Sequence, residues 1–332
     1  MTVAAQNSEM DLSVIIVCRD AMRYLPHCIE AVQPLMLQGE LRTECLVVDM
    51  GSEDETPEYL AAEQNSWHIS GYVSEPYENR YDAMNKGLGM AKGKVCLFLT
   101  PESELMVENT AACCAPILNG EVDCVFSSAI QVNPSNGQAR PLTPHTDHLF
   151  LRTPCHLQSF FCSASLLRRL GGFRRQQYPV LADCDFMHRA LEAECRYRVA
   201  PLSTCRHYYR PAGESEDFHV DFLRFIASHA EEILVQCRQH PSYAIRAVHE
   251  ILRHAVRCDW PVKGDVLKAL DDLLARLRSV IKPTVREKIC RRLRRRAVLQ
   301  GLLLPFKGWR RMRVTLKLCR SHLHVARILS SL

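Results

Sequence analysis

The chain has 332 residues, 47% of them hydrophobic and 24% charged, which is typical of a globular protein with one large domain or two ordinary ones. It has no run of about 18 apolar residues and no basic start followed by an apolar stretch, so the sequence predicts a cytoplasmic protein without a membrane-spanning helix or a secretory signal. The net charge is +5, but residues 288–332 contain thirteen Lys or Arg and no acid, which leaves −8 on the preceding 287 residues.

Sixteen cysteines are a high count, but no two of them form a C-x-x-C pair. Cys18, Cys45, Cys96 and Cys124 lie in or beside apolar, strand-like runs, where small hydrophobic side chains are expected. Because metal-ligand spacing is missing, the sequence predicts reduced thiols rather than a zinc site or a disulfide framework.

Residues 13–99 alternate between strand-like and helix-like segments. The strand segments are short apolar runs rich in β-branched residues, and the helix segments repeat apolar residues at helical spacing. In chain order, the predicted elements are a strand at 13–18, a helix at 24–38, a strand at 44–49, a helix opening within 51–64 with Thr56 as its cap, a strand at 68–75, a helix at 81–93 and a strand at 95–99. This alternation predicts a doubly wound parallel α/β sheet.

In the rest of the chain, the predicted secondary structure changes from mixed strands and helices to helices alone at about residue 217. Before that point, the predicted elements are a strand at 122–130, a hairpin turn at Asn136-Gly137 in a loop-rich segment, helices at 163–173 and 183–194, and a last strand at 197–201. After it the pattern is helical, in segments 217–240, 242–257, 262–281 and 284–303. The sequence therefore predicts an α/β domain over residues 1–216 and a helical C-terminal region over residues 217–332.

Three stretches carry a resemblance to a known family. They are "SVIIVCRD" from residue 13, "CLVVDMGSEDETPEYL" from residue 45 and "SEPYENRYDAMNKGLGMAKGKVCLFL" from residue 74. In order and spacing they resemble the family 2 glycosyltransferases of the surface-polysaccharide type, which are nucleotide-sugar-dependent enzymes of the GT-A fold. The resemblance covers about residues 12–215 and implies a Rossmann-like, mostly parallel sheet with flanking helices.

The end of the second predicted strand is a candidate nucleotide site, because ligands of open α/β sheets bind beyond the carboxyl ends of the strands. Asp49 terminates that strand, and Ser52 follows in a turn whose Gly51 permits close approach of a ligand. A carboxylate there accepts a hydrogen bond from a base N–H or a ribose hydroxyl, and the resemblance implies that Asp49 reads the base. The alternative is a strand-end carboxylate that only holds the turn.

The start of the third predicted helix is a second candidate nucleotide site. Asp82, Asn85 and Lys86 fall on one turn, where they would bind the ribose or offset diphosphate charge. Arg80 is a further candidate for the diphosphate. The alternative for these residues is helix capping and a solvated face.

The turn after the strand at 95–99 is the candidate metal site. In the family, this strand leads into a D-x-D motif whose acids hold Mg²⁺ or Mn²⁺ on the diphosphate, but here the sequence is Thr100-Pro101-Glu102. Since Mg²⁺ often needs only one or two carboxylates plus substrate phosphates, Glu102 remains a candidate ligand. The alternatives are an acid at a helix start and an active enzyme that uses basic side chains instead of a metal.

The segment "LADCDFMHRAL" from residue 181 resembles the family's E-D-x-D segment, whose Asp deprotonates the acceptor hydroxyl. Ala182 replaces the Glu, while Asp183 and Asp185 remain. An inverting transfer needs one general base opposite the leaving diphosphate, and a carboxylate suits that role. Asp183 is the candidate base and Asp185 the second choice, with helix capping as the alternative.

The resemblance also implies an acceptor pocket and further contacts to the donor. His156, Gln158 and Phe161 lie in the segment that lines the acceptor pocket in the family, although core packing is an equal alternative for them. His207 and Arg210, which follow the last predicted strand, are candidates for the diphosphate.

The basic tail, residues 291–332, mixes Lys and Arg clusters with Leu, Phe306 and Trp309. This composition suits an amphipathic segment on an anionic membrane surface, which would bring the protein to a lipid-linked acceptor. A basic helical subdomain packed on the acidic body is the alternative. Nucleic acid is not an expected partner, because no nucleic-acid motif accompanies the charge.

Together these features predict an inverting glycosyltransferase at the cytoplasmic face of a membrane. It would move a sugar from a nucleotide sugar, most simply a UDP-sugar, to a glycan or lipid-linked acceptor in surface-polysaccharide synthesis. The competing hypothesis is a non-catalytic GT-A-like protein that binds a nucleotide sugar or a partner enzyme, which the missing acids at the D-x-D and E-D positions favour.

Overall fold

The structure is a computed structural model that describes residues 10–38, 40–146, 151, 153–208, 216–255, 265–281, 283–284, 286–287, 289–291 and 325–326. The described residues up to 208, apart from Leu151, form one compact unit. Leu151 and the residues from 216 onward form a second unit. The boundary predicted after residue 216 adjoins the undescribed residues 209–215 and stays a prediction.

The first unit is built around one sheet. Its strands are β1 (Met10–Cys18), β2 (Thr43–Asp49), β3 (Gly71–Ser74), β4 (Gly93–Leu99), β5 (Ser103–Leu105), β6 (Cys124–Val132), β7 (Ala139–Leu142), β8 (Phe160–Ser163) and β9 (Tyr197–Tyr208). They lie in the order β3-β2-β1-β4-β8-β6-β9-β5, with β7 paired to β6. The first four strands are parallel, as predicted. Beyond them the sheet is mixed, because β8 runs antiparallel between β4 and β6.

Helices cover both faces of this sheet. They are α1 (Leu25–Gln38), α2 (Thr56–Asn65), α3 (Arg80–Met90), α4 (Thr110–Leu118), α5 (Ala164–Arg169) and α6 (Ala182–Glu192). Alternate residues of β1 point to opposite faces, so Val14 and Ile16 pack with α1, α2 and α4, whereas Ile15 and Val17 pack with α3, α5 and α6. This double burial explains the continuous apolar strand runs.

The order of the parallel strands places a crevice at one end of the sheet. The chain proceeds from β1 outward to β2 and β3, then returns to β4 on the other side of β1. Loops from β1 and β4 therefore diverge above the carboxyl ends of the strands, which is where open α/β sheets bind ligands. The predicted site segments after β2 and β4 lie at this end, together with the loop after β1.

Several predicted elements differ from those observed. The helix start considered for Glu102 was wrong, because the chain continues at once into β5, which pairs antiparallel with β9. The last strand runs to Tyr208 rather than to residue 201, so His207 lies within β9 instead of after it. Thr56 does not cap α2, since its hydroxyl accepts a hydrogen bond from the Ala21 backbone at 3.2 Å. Each difference comes from a partner distant in sequence.

The second unit is helical, as predicted. It contains α7 (Glu216–Ser228), α8 (Ala230–Gln239), α9 (Pro241–Ala255) and α10 (Asp265–Val280). The single helix predicted over 217–240 was wrong, because the helix breaks at His229, between α7 and α8. Most of the basic tail, and therefore Phe306 and Trp309, lies outside the described residues. None of the helices that the structure describes is long and apolar enough to cross a membrane.

The cysteines that the structure describes are all buried, and none of them is in a disulfide. Burial raises the pKa of the Cys45 and Cys96 thiols to about 12. These cysteines therefore pack as small apolar side chains.

Candidate functional site

An open cavity of about 490 Å³ lies at the carboxyl ends of β1 and β4 in the first unit. Its lining residues come from the loop after β1, the residue after β2, the start of α3 and the turn after β4. They are Val17, Cys18, Arg19, Asp20, Ala21, Arg23, Tyr24, Met50, Arg80, Met84, Thr100, Pro101 and Glu102. Two of the predicted site residues, Arg80 and Glu102, therefore share one cavity wall. The cavity also carries two arginines, Arg19 and Arg23, that the sequence analysis did not select.

Asp49 does not line this cavity. It holds the loop after β2 and, through Ser52, the loop after β1. Its side chain is completely buried. One oxygen, Oδ2, accepts hydrogen bonds from the Ser52 backbone at 3.2 Å and the Ser74 hydroxyl at 2.6 Å, and Oδ1 accepts one from the Ser52 hydroxyl. Ser52 Oγ in turn accepts a hydrogen bond from the Asp20 backbone at 2.8 Å. The base contact implied for Asp49 stays a prediction, whereas its carboxylate holds the loop after β2 directly and the loop after β1 through Ser52.

Asp183 is connected to the cavity through two side chains. It lies half-buried in the first turn of α6, and its Oδ1 accepts a hydrogen bond from the Tyr81 hydroxyl at 2.7 Å. The same hydroxyl accepts a hydrogen bond from the Arg80 guanidinium at 2.9 Å. The Arg80–Tyr81–Asp183 chain thus joins the cavity wall to the candidate base.

Asp185, the second choice for the base, has a structural partner. Its carboxylate forms an ion pair with Arg189 at 2.8 Å, and the two side chains are only 5% and 11% exposed. Arg189 also donates to the backbone oxygens of Leu170 and Gly172. This pair ties α6 to the turn after α5, so Asp185 holds the backbone that carries Asp183.

The predicted residues of α3 have different surroundings. Asn85 donates to the backbone oxygen of Phe173 and accepts from its N–H, both at 2.9 Å, so it fastens α3 to a distant loop. Asp82 is paired with Arg175 at 2.7 Å, and Lys86 lies 3.7 Å from Glu75. None of these residues lines the cavity described above.

The predicted acceptor residues separate into two groups. Phe161 is fully buried in the hydrophobic core, which agrees with the core-packing alternative and not with a place in the pocket lining. Gln158 donates to the hydroxyl of Thr100 at 3.4 Å, and Thr100 lines the cavity. His156 lies beside His207, with 4.6 Å between ring centroids. Arg210 falls outside the described residues.

Both imidazoles are held neutral. Burial lowers the pKa of His156 to about 3, and the charges of His207 and Arg80 act in the same direction. Burial also lowers the pKa of His207, although the Glu102 carboxylate opposes that shift. Among the described side chains, the Nδ1 atoms of both rings and Oε1 of Gln158 are buried without a hydrogen-bond partner. Buried polar atoms of this kind are ordinarily paired, so they are available here to a water, an ion or a polar ligand.

We expect the neutral His156 to make the protein acid-sensitive. A folded-state pKa near 3 lies below the ordinary value near 6.5, so the unfolded chain binds the proton first and the free energy of unfolding falls as the pH drops below about 6.5. Between pH 7.5 and pH 5, the free energy of unfolding of the variant His156→Gln should fall by about 1–2 kcal/mol less than that of the wild type. Urea denaturation at both pH values measures this difference. Equal losses in the two proteins would show that folding does not lower the pKa of His156.

The residues around Glu102 do not form a metal site by themselves. No group of three or more His, Cys, Asp or Glu in the described part of the chain is arranged to hold an ion. Asp20 is the other carboxylate in the cavity, but its Oδ1 accepts a hydrogen bond from the Glu53 backbone at 2.8 Å. A single carboxylate leaves most of the octahedral shell of Mg²⁺ to other donors. The donor set is therefore one carboxylate short of the D-x-D pair.

The sequence analysis missed Arg19, Arg23 and Tyr81. Arg19 directly follows the buried strand β1, just as Met50 follows β2, so the strand-end rule used for Asp49 identifies it as well. Arg23 and Tyr81 carry no comparable signal. Their positions depend on the course of the loop and on α6, which lies about a hundred residues further along the chain than Tyr81.

Comparison with known proteins supports the resemblance. Residues 13–177 match the family model "Glycosyl transferase family 2". An uncharacterized glycosyltransferase of Mycobacterium tuberculosis is 28% identical over 184 residues, which are 54% of this chain and 68% of the relative. A PGL/p-HBAD biosynthesis glycosyltransferase of Mycobacterium bovis is 29% identical over 177 residues, or 52% of this chain and 67% of the relative.

Solved structures show the same fold. The crystal structure of S. aureus TarS 1-349 in complex with UDP-GlcNAc matches 96% of this chain and 91% of its own, with a TM-score of 0.58 and 15% identity. A longer TarS structure matches 84% of this chain with a TM-score of 0.55, and this chain covers 50% of its length. At such identities the likeness concerns the fold alone, and it confirms the expected GT-A architecture with a helical C-terminal region.

Proposed function

This chain is a glycosyltransferase of family 2, and from that premise we propose that it moves a sugar from UDP to a hydroxyl of a glycan or lipid-linked acceptor, with inversion. The observation that carries the proposal is the cavity at the carboxyl ends of the strands, whose wall connects through Arg80 and Tyr81 to Asp183. The TarS structures with UDP and UDP-GlcNAc support UDP as the nucleotide.

Asp183 is the general base in this proposal. It takes the proton of the acceptor hydroxyl while the acceptor oxygen attacks the anomeric carbon, and the bond from that carbon to the diphosphate breaks with its electrons leaving on the nucleotide. Tyr81 and the Cys184 backbone both donate to Oδ1 of Asp183, at 2.7 and 2.9 Å. Its other oxygen, Oδ2, is therefore the one that faces the acceptor.

The sugar is proposed to lie between this base and the turn after β4. His156, Gln158 and His207 present buried polar atoms without partners there, and Gln158 contacts the cavity residue Thr100. Sugar hydroxyls both donate and accept hydrogen bonds, so they complement neutral imidazole and amide groups. This complementarity supports placing the sugar beside these three residues.

Tyr81 is proposed to orient the base, so we expect Tyr81→Phe to lower kcat by about 10- to 100-fold. The UDP dissociation constant should change less than about threefold, because Arg80 keeps its second hydrogen bond to the Val180 backbone. Tyr77→Phe is the matched control, since it also removes a tyrosine–carboxylate hydrogen bond, to Glu75 at 3.0 Å. Equal kcat values for Tyr81→Phe and the control would contradict the orienting role.

A panel of nucleotides and nucleotide sugars tests the proposed function directly. We expect UDP and at least one UDP-sugar to raise the melting temperature, and that UDP-sugar to release UDP when extracts containing glycan or lipid-linked acceptors are added. Binding without release for every donor would favour the non-catalytic nucleotide-sugar-binding alternative, which the reduced acid set at Glu102 and Ala182 supports. Absence of any binding would favour a scaffold.

The acceptor is proposed to be presented at a membrane surface. The concentration of Lys and Arg in residues 291–332, with apolar residues between them, supports a peripheral contact with anionic lipids. Such a location would suit a role in surface-polysaccharide synthesis at the cytoplasmic face, which we propose for this protein. Divalent metal is not assigned a step in this proposal.

A further inference from the structure

Three arginines, Arg19, Arg23 and Arg80, share the cavity with two carboxylates, Asp20 and Glu102. We infer that these guanidinium groups bind the diphosphate of the donor in place of a divalent cation, so that UDP binding and sugar transfer do not depend on metal. The inference rests on the proposed function and adds to it the chemistry by which the leaving group is held.

The charge in the cavity favours a phosphate ligand. Three arginines outnumber the two carboxylates, and Arg19 and Arg80 are exposed at the surface of the unit. A guanidinium is planar and presents a rigid fork of donors that matches two phosphate oxygens at once. As the bond to the anomeric carbon breaks, negative charge grows on the leaving phosphate, and arginines placed beside it stabilise that charge.

The loop that carries Arg19 and Arg23 is held before any ligand binds. The Asp20 backbone donates to Ser52 at 2.8 Å, and the Met22 backbone donates to the Asp54 carboxylate at 3.2 Å. Asp20 itself adopts a left-handed conformation, with φ of 46°, and its carboxylate accepts a hydrogen bond from the Glu53 backbone of the second loop. These bonds fasten the loop after β1 to the loop after β2.

The third arginine is held from another direction. Arg80 donates to the hydroxyl of Tyr81 at 2.9 Å and to the Val180 backbone at 3.3 Å. Its neighbour Asn79 caps α3 and also donates to the Pro179 backbone at 2.8 Å. Because hydrogen bonds anchor both segments, the backbone that carries the three arginines needs little ordering when phosphate binds.

Replacing Glu102 tests the inference, because metal binding and arginine binding predict opposite changes in UDP affinity. If it binds a metal on the diphosphate, Glu102→Gln weakens UDP binding, as loss of a ligand must. If arginines bind the diphosphate alone, the carboxylate is a like charge beside it, and its removal strengthens binding. We expect Glu102→Gln to tighten UDP binding by about two- to fivefold.

Calorimetry with UDP and with uridine, in excess EDTA and in Mn²⁺, completes the test. We expect the wild type to bind UDP equally in both conditions. The double variant Arg19→Gln/Arg23→Gln should weaken UDP binding by about 50-fold or more and uridine binding by less than about threefold. Arg198→Gln is the matched control, because this exposed arginine pairs with Glu121 at 2.9 Å and does not line the cavity. Melting curves of each variant verify that it is folded.

The outcomes separate the inference from the proposed function. UDP binding that requires Mn²⁺, weaker UDP binding by Glu102→Gln, or unchanged UDP affinity in the double arginine variant would overturn the inference while leaving the glycosyltransferase proposal intact. Failure of the wild type to bind uridine, UDP or any nucleotide sugar would overturn both. Metal-independent UDP binding with selective loss in the arginine variant supports both.

Discussion

Replacing Asp183 with Asn should lower kcat by about 10³-fold or more and leave the UDP dissociation constant within about threefold. The amide keeps the size of the side chain and accepts the Tyr81 hydrogen bond, but it cannot take a proton from the acceptor hydroxyl. Steady-state turnover with a UDP-sugar and calorimetry with UDP measure the two quantities.

Asp185→Asn is the matched control, since it makes the same chemical change two residues away. Asp185 is buried against Arg189, and loss of its charge leaves a guanidinium poorly paired in the interior. We therefore expect it to lower the free energy of unfolding by about 3 kcal/mol. Turnover should stay within about tenfold of the wild type at a temperature where the variant is folded.

The two variants discriminate between the candidate bases. Turnover in Asp183→Asn close to that of the wild type would remove Asp183 from the mechanism. Loss of turnover in a folded Asp185→Asn protein, with Asp183→Asn active, would reverse the assignment. A stable Asp185→Asn protein would show that the ion pair with Arg189 contributes little.

Asp49→Asn should both destabilise the protein and weaken UDP binding. The buried carboxylate accepts hydrogen bonds from Ser52 and Ser74, and an amide offers one accepting oxygen where the carboxylate offers two. We expect a loss of about 2–4 kcal/mol in the free energy of unfolding. The UDP dissociation constant should rise about tenfold or more, because Ser52 also holds the Asp20 backbone beside Arg19.

Glu44→Gln provides the control at the opposite end of the same strand. Glu44 is 3% exposed, and its Oε1 accepts hydrogen bonds from the Ser13 hydroxyl at 2.5 Å and the Lys92 backbone at 2.6 Å. Both bonds end on one oxygen, which the amide keeps, so Glu44→Gln should lower the free energy of unfolding by only about 1 kcal/mol. UDP affinity should stay within about twofold, since ligands bind at the carboxyl end of β2 and Glu44 lies at its beginning. Equal changes in UDP affinity for the two variants would mean that Asp49 acts only on stability.

The parallel half of the fold was predictable because its signals are local. The apolar runs that form β1, β2 and β4 and the helical spacing between them lie within a few residues of one another. The mixed half was less predictable. The segment after Glu102 becomes a strand only because β9 lies beside it, and β9 is about a hundred residues further along the chain.

The candidate site shows the same division. Strand order places Asp49 and Glu102 at one end of the sheet, so sequence reasoning selects them. Phe161 and Asn85 were also selected from segments that resemble the family. However, Phe161 is buried in the core and Asn85 is hydrogen-bonded to Phe173. No local pattern distinguishes a side chain that faces a cavity from one that packs behind it.

The sequence by itself determined the family resemblance, the parallel strands and the loss of the first acid after β4, since each depends on residue order within short segments. The tertiary structure alone decided what surrounds that turn. Arg19, Arg23 and Arg80 come from two separate segments, and hydrogen bonds that these segments donate to Ser52, Asp54 and Tyr81 hold them at one cavity. Electrostatic interactions act over distances in space, so the charge that a diphosphate meets depends on folding and not on spacing along the chain.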